Sequence, residues 1–334
     1  HAPLLERVAE GFSEDFHLWL ETQSQIVEIL AFLDKADHAR VQVNQAKYLL
    51  LLLSPATTRV ELIEHSRELG YICAHVGISN SLLSSAFLFF KRLLLERLTR
   101  FALLPGEHAP LIRVINARSD LACQTQLDAM DEIRDVYFTT FEAALPESTR
   151  SKDAIQAELE RLGGLPGVKG ALLLRSDVEG RLVLVQGAGE DALSRASLME
   201  RPEYQIMLDP NHPQGGALSA RAWRELRIQT ATAHTKAPGT KAWRDMLAQS
   251  GIRSVLAIPI RDTRGRAAAV ITIYGAYPHQ FRSSVARFWS QSLQYRWEML
   301  WHRYETSSSL PTISGSKAAQ WRTRLFNGGL ALYL

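Results

Sequence analysis

The stretch Ser254-Val255-Leu256-Ala257-Ile258-Pro259-Ile260-Arg261, followed after Asp262-Thr263-Arg264-Gly265 by Ala267-Ala268-Ala269-Val270-Ile271-Thr272-Ile273-Tyr274, decides the class of the second half of the chain. Two apolar runs rich in Val and Ile, joined by a polar turn that ends in Gly, read as paired strands. Upstream, residues 169–173 and 181–186 read as a second pair around Asp177-Val178-Glu179-Gly180. The segments between and around the pairs read as helices: 151–161, closed by Gly163-Gly164, two short stretches near 191–208 and 216–225, then 241–250 and 283–304. Residues between the last short helix and 241 read as a loop rich in Ala, Thr and Gly. Strands paired by short turns with helices around them make an α+β domain with a central antiparallel sheet.

The first half has a different period. In Arg67-Glu68-Leu69-Gly70-Tyr71-Ile72-Cys73-Ala74-His75-Val76-Gly77-Ile78 and the turn before it, apolar residues fall at Leu62, Leu69, Ile72, Cys73 and Val76. Those spacings mark one face of an α-helix. Gly77 is a stop signal, and Ser79 or Asn80 a cap for the next helix. Helical spacing also runs through 4–33, 38–53 (ended by Pro55), 57–76, 81–103 (broken by Pro105-Gly106) and 111–145 (closed by Pro146). No strand-like alternation occurs before residue 147, so this half is all-α.

Length and composition set the frame. A chain of 334 residues holds two domains, and 46% hydrophobic with 22% charged residues is the composition of a water-soluble fold. A net charge of +3 argues for neither a nucleic-acid nor a membrane partner. Two cysteines, Cys73 and Cys123, exclude a disulfide framework and fit a reducing, cytoplasmic setting. The apolar stretch 82–104 is interrupted by Lys91, Arg92, Glu96, Arg97 and Arg100, and is therefore a packed helix rather than a membrane span.

Three segments resemble known families. Gly70-Tyr71-Ile72-Cys73-Ala74-His75-Val76-Gly77-Ile78 resembles the haem-ligand helix of the globin-coupled sensors, Gly-x-x-His-Ala-Arg-Ile-Gly-Ile, which implies a globin-like domain over 1–147. The family's iron-binding histidine falls on Cys73 and its arginine on His75. Residues 148–305 resemble a GAF domain with an exit helix. That match is carried by Ala220-Arg221-Ala222-Trp223-Arg224, Ala242-Trp243-Arg244, Gly251 to Ile260, Ile273-Tyr274 and Pro278-x-x-Phe281. After a Ser-rich linker, 306–319, residues 320–334 resemble the opening of an EAL domain, the cyclic di-GMP phosphodiesterase module. Fifteen residues cannot form a barrel, so that output domain is expected to be truncated here.

Several side chains are candidates for chemistry. Cys73 is either a thiolate ligand to haem iron or a small buried hydrophobe. His75, about 200° further round the helix, is expected to face away from the Cys73 pocket, beside Glu68 and Tyr71. On the opposite wall Glu14 takes the place of an oxygen-binding tyrosine. Phe12, Phe16, Trp19 and the run 49–53 are expected to fill the pocket, which favours a domain without haem. Trp223, Trp243 and Arg253 are the candidate contacts to a small molecule in the GAF half. His212, His234 and His279 lack metal-ligand spacing, and no catalytic constellation stands out. The expected function is the sensory input region of a bacterial cyclic di-GMP signalling protein, not itself an enzyme. It is expected to be a homodimer through the globin-like helices and the exit helix, with an unidentified small molecule in the GAF domain. The alternatives are a haem gas sensor using Cys73 or His75, a cofactor-free dimerisation scaffold, and the input half of a transcription regulator.

Overall fold

The computed structural model describes residues 11–31, 33, 35–99, 106, 108–142, 151–189, 199, 201–232 and 241–307. The resemblance over 320–334 and the loop histidine His234 lie outside the described residues. The chain forms two compact units, His1–Asp135 and Val136–Leu334. The division falls inside one helix, upstream of the domain boundary expected at 147.

In the first unit every element among the described residues is helical: α1 (Phe12–Glu21), α2 (Ser24–Leu30), α3 (Lys35–Leu53), α4 (Arg59–Val76), α5 (Asn80–Leu98) and most of α6 (His108–Glu142). The helix expected over 4–33 is two helices, because the chain turns at Thr22, whose hydroxyl donates to the Trp19 carbonyl at 2.6 Å. The expected stop and cap after α4 are realised: Gly77 ends it in the left-handed region at φ 84°, and Ser79 caps α5. At its start Thr58 and Glu61 close a capping box that the sequence reading missed. Arg118 of α6 closes the α3 C-terminus by donating to the carbonyls of Leu51 (3.0 Å), Leu52 (2.7 Å) and Thr57 (3.1 Å). Helix α4 crosses α6 at Gly70, where an added Cβ would lie 2.5 Å from the Gln126 carbonyl oxygen, so only glycine permits this approach.

The second unit opens with the last turns of α6 and with α7 (Ser151–Gly163). Its six-stranded antiparallel sheet runs in the order β3-β2-β1-β6-β5-β4. The strands are β1 (Val168–Ser176), β2 (Arg181–Ala188), β3 (Ile206–Met207), β4 (Gln229–Thr232), β5 (Ser254–Arg261) and β6 (Ala267–Gly275). Helices α8 (Leu218–Glu225), α9 (Lys241–Gln249) and α10 (Ser284–Ser307) complete it. Two expectations change. The segment 191–208 is not a helix where it is described: Pro202–Tyr204 is a single 3₁₀ turn and Ile206–Met207 pairs with β2 as an edge strand. The loop before residue 241 contains β4, which pairs with β5 from Gln229↔Ala257 to Thr232↔Ser254. Both strands are too short to show an alternation.

Strand periodicity sorts the core onto two faces. On one, Ala171, Leu173, Leu256, Ile258, Ile260, Ala269, Ile271 and Ile273 pack under α7 and α10. On the other, Leu172, Leu174, Val255 and Tyr274 pack with α8 and α9. Helix α10 lies against its own sheet through Trp289, Leu293, Trp297, Leu300 and Trp301.

Candidate functional site

On the sheet face covered by α8 and α9, three aromatic side chains converge. Trp243 and Met246, one helical turn apart on α9, are buried beside Leu182, Ile206 and Ala217. Trp223, near the end of α8, is half-buried against the same cluster. Tyr204, from the 3₁₀ turn, stands edge-on to Trp243 at 5.5 Å between ring centres. The indole Nε1–H of Trp243 is buried and has no acceptor among the described residues. A donor left in that condition costs about 1–3 kcal/mol, so an acceptor arriving from outside would gain that much.

The rim is built by polar contacts. Arg224 donates to the carbonyls of Leu208 and Gly215, both at 3.0 Å, and so ties α8 to the loop that carries His212. Beneath α8 the hydroxyls of Ser219 and Thr272 share a buried hydrogen bond at 2.8 Å. Of the expected residues, Trp223 and Trp243 meet in this cluster. Arg253 lies just before β5, its amide donating to the Gly275 carbonyl at 2.8 Å. Tyr204, Met246 and Arg224 were missed by the sequence reading. Met246, three residues after Trp243, shares its helix face and was recoverable from spacing alone. Tyr204 was not, because only β3 pairing brings its turn to the sheet.

In the first unit Cys73 is buried among Phe12, Leu62, Leu83, Phe87 and Phe90. Burial alone pushes its thiol up to about 12. The side chain is therefore held as a neutral thiol in this apolar setting. Phe12 packs edge-on to Phe90 at 4.9 Å, and Trp19 stacks on Phe89 at 4.6 Å. Glu14, at the position of the family's tyrosine, is exposed to solvent.

His75, expected to face away from the Cys73 pocket beside Glu68 and Tyr71, is buried. Helix α4 is covered on more than one side. Gly70 abuts α6, while Arg67 and Tyr71 both bond Glu132 of α6, at 2.6 and 2.8 Å. A 200° offset from Cys73 therefore still ends against protein. Burial pulls the His75 imidazole down to about 4, which keeps it neutral. The sequence reading also missed a polar cluster beside this core. Tyr48 shares a hydrogen bond with Ser66 at 2.9 Å and accepts one from Gln126 at 2.8 Å. Among the described residues no group of three or more His, Cys, Asp or Glu side chains could hold a metal ion. Nor is any helix among them long and apolar enough to cross a membrane.

Comparison with known proteins places this geometry. Residues 152–292 match the GAF domain family, so the α+β half of the chain is a GAF domain, preceded by a helical region. Solved structures are similar to part of the chain at low identity. A GAF sensor protein from Burkholderia vietnamiensis is 13% identical with a TM-score of 0.36, over 53% of this chain and 94% of that one. The GAF domain of an Acinetobacter phosphoenolpyruvate-protein phosphotransferase is 13% identical with a TM-score of 0.34, over 51% and 92%. The free methionine-R-sulfoxide reductase of Neisseria meningitidis, in complex with its substrate, is 14% identical with a TM-score of 0.33, over 52% and 87%. No curated protein matches the chain.

Proposed function

We propose that this chain is the sensory and regulatory input region of a bacterial cyclic di-GMP signalling protein, with a small-molecule site under α8 and α9 of its GAF domain and a globin-like first unit that holds no haem. The observation that carries the ligand site is the buried Trp243 Nε1–H, without an acceptor among the described residues, inside an aromatic cluster with Trp223 and Tyr204. Flat rings would stack on these side chains, and a carbonyl or ring nitrogen would take the free hydrogen. The cofactor-free reading of the first unit is supported by the neutral Cys73 thiol in a hydrocarbon setting and by the aromatic packing of α1 on α5. The regulatory rather than catalytic reading is supported by composition, since neither cysteine lies within 152–292 and the segment has no thiol to run a redox cycle. The link to cyclic di-GMP rests on the EAL-like residues 320–334.

The test is a titration of the full chain, followed by tryptophan fluorescence and by absorption, with a panel of purine and pyrimidine nucleotides, flat heteroaromatic amides and haemin. At least one flat compound is expected to quench the fluorescence and raise the melting temperature. Trp243→Phe, which keeps an aromatic ring, smaller than the indole, and removes the donor, is expected to weaken it by about tenfold or more, the equivalent of one hydrogen bond. A sharp stoichiometric Soret band near ~400 nm with haemin, as ligated haem iron gives, would overturn the haem-free reading. Equal affinity in Trp243→Phe would overturn the assigned donor.

A further inference from the structure

Arg224 holds its charge fixed at the rim of the site under α8 and α9. Its Nη1 donates to the Leu208 and Gly215 carbonyls, both at 3.0 Å, and the two contacts set the plane of the guanidinium. Among the described residues no carboxylate lies within ion-pair reach of it, and its Nε and Nη2 have no partner. Other largely covered arginines differ. Arg97, Arg134, Arg161 and Arg296 each meet a carboxylate, at 2.6, 3.0, 3.2 and 2.5 Å. Arg118 meets none, but it spends Nε, Nη1 and Nη2 on the carbonyls at the end of α3, where the helix dipole is negative. Arg221, one turn earlier on α8, donates to Gln229 of β4, which in turn donates to Glu225. Asp209, the acidic residue of the loop that holds Arg224, accepts from the Asn211 amide instead.

The Nε–H and Nη2–H edge of a guanidinium presents two parallel donors, spaced to meet two oxygens of one carboxylate or phosphate. A guanidinium already fixed by two carbonyls loses little freedom on taking such a group. Its place is the edge of the aromatic cluster. Leu208, whose carbonyl it holds, packs against that cluster, and so does Trp223, its neighbour on α8. The buried Nε1–H of Trp243, without an acceptor among the described residues, belongs to the same cluster. A molecule with an acceptor on a flat ring and an acidic group at its edge would use both.

We propose that the compound taken by this site carries, beside its flat ring, an acidic group, a carboxylate or a phosphate, held by the Nε and Nη2 edge of Arg224. This rests on the ligand site read above and goes beyond it in fixing the charge of the ligand.

The test is isothermal titration calorimetry of the full chain with matched pairs: nicotinate against nicotinamide, indole-3-carboxylate against indole-3-carboxamide, and adenosine 5′-monophosphate against adenosine. At least one acid is expected to bind about tenfold or more tighter than its neutral partner, the size of a hydrogen bond to a charged group. Which pair shows the preference tells carboxylate from phosphate. Arg224→Gln is expected to abolish the preference, and Trp243→Phe to weaken both members of the pair alike. An Arg224 that only ties α8 to its loop would lower both affinities together and leave their ratio unchanged in Arg224→Gln, which would overturn the proposal. Equal binding of acid and neutral partner, weakened in Trp243→Phe, would overturn the acidic group and leave the site standing. No binding of any of the six compounds would overturn the site, and the acidic group with it.

Discussion

At the scale of single residues, burial determines what Cys73 and His75 do. Both sit on α4, both carry a donor atom that could serve a metal, and both are held neutral because charged forms are poorly solvated inside a helical core. For His75 this has a measurable consequence. Its folded value of about 4 lies below the ordinary 6.5, so the unfolded chain takes up the proton first. The stabilising effect is complete above pH 6.5 and is lost as pH falls from there toward 4, at up to about 1.4 kcal/mol per pH unit. His75→Asn is expected to be flatter than the parent chain in urea midpoint across that window. Identical pH profiles would show that His75 does not titrate in this way. The helical face carrying Cys73 was legible from spacing alone. The burial of His75 was not, since it depends on what packs against a second face of α4.

At the scale of elements, the second unit binds its helices together through a buried charge. Glu158 of α7 accepts from Arg296 of α10, Nη2 at 2.5 Å and Nε at 3.3 Å, and also from Arg161 at 3.2 Å. Arg161 in turn reaches the Thr140 carbonyl at 3.4 Å, so a residue of α6 joins the same cluster. A buried ion pair contributes little net stability, yet breaking one side of it is expensive. Arg296→Met is therefore expected to destabilise the protein by about 3–5 kcal/mol, and Glu158→Leu/Arg296→Met to recover most of the loss. Denaturant unfolding of the single and double variants measures both. A double variant as unstable as Arg296→Met would mean that the packing of the arginine stem, not the charge, is what matters. Nothing in the sequence pairs positions 158 and 296. The helices themselves were legible, because each runs long enough to show its period. The edge strands Ile206–Met207 and Gln229–Thr232 were not, because two or four residues cannot display one.

At the scale of the molecule, the GAF unit begins earlier than its family match. Tyr137, in the last turns of α6, donates to the Pro166 carbonyl at 2.8 Å and accepts from Gln280 at 3.0 Å. Its ring stands edge-on to Trp289 at 5.1 Å. Phe141 packs on the same core. A fragment 136–307 is therefore expected to be more stable than 151–307 by about 2–4 kcal/mol, the sum of an aromatic pair and two partly buried hydrogen bonds. Chemical denaturation of the two fragments tests this, and equal midpoints would show that the GAF fold is complete without α6.

What the sequence determined by itself was whatever depends on neighbours along the chain. The periods of the long helices, the caps at Thr58, Gly77 and Ser79, the hairpin at 254–274 and the division into a helical region and an α+β domain all follow from spacing and turn chemistry. Tertiary structure alone decided which side chains met across the fold: Tyr204 against Trp243, Arg296 against Glu158, Gly70 against Gln126. It also decided that α10 would spend its tryptophans on the sheet and keep Phe288 and Tyr295 in water. The physical reason is that a helix of this composition has apolar residues on two sides. Only the surface it packs against settles which side becomes core and which stays in water.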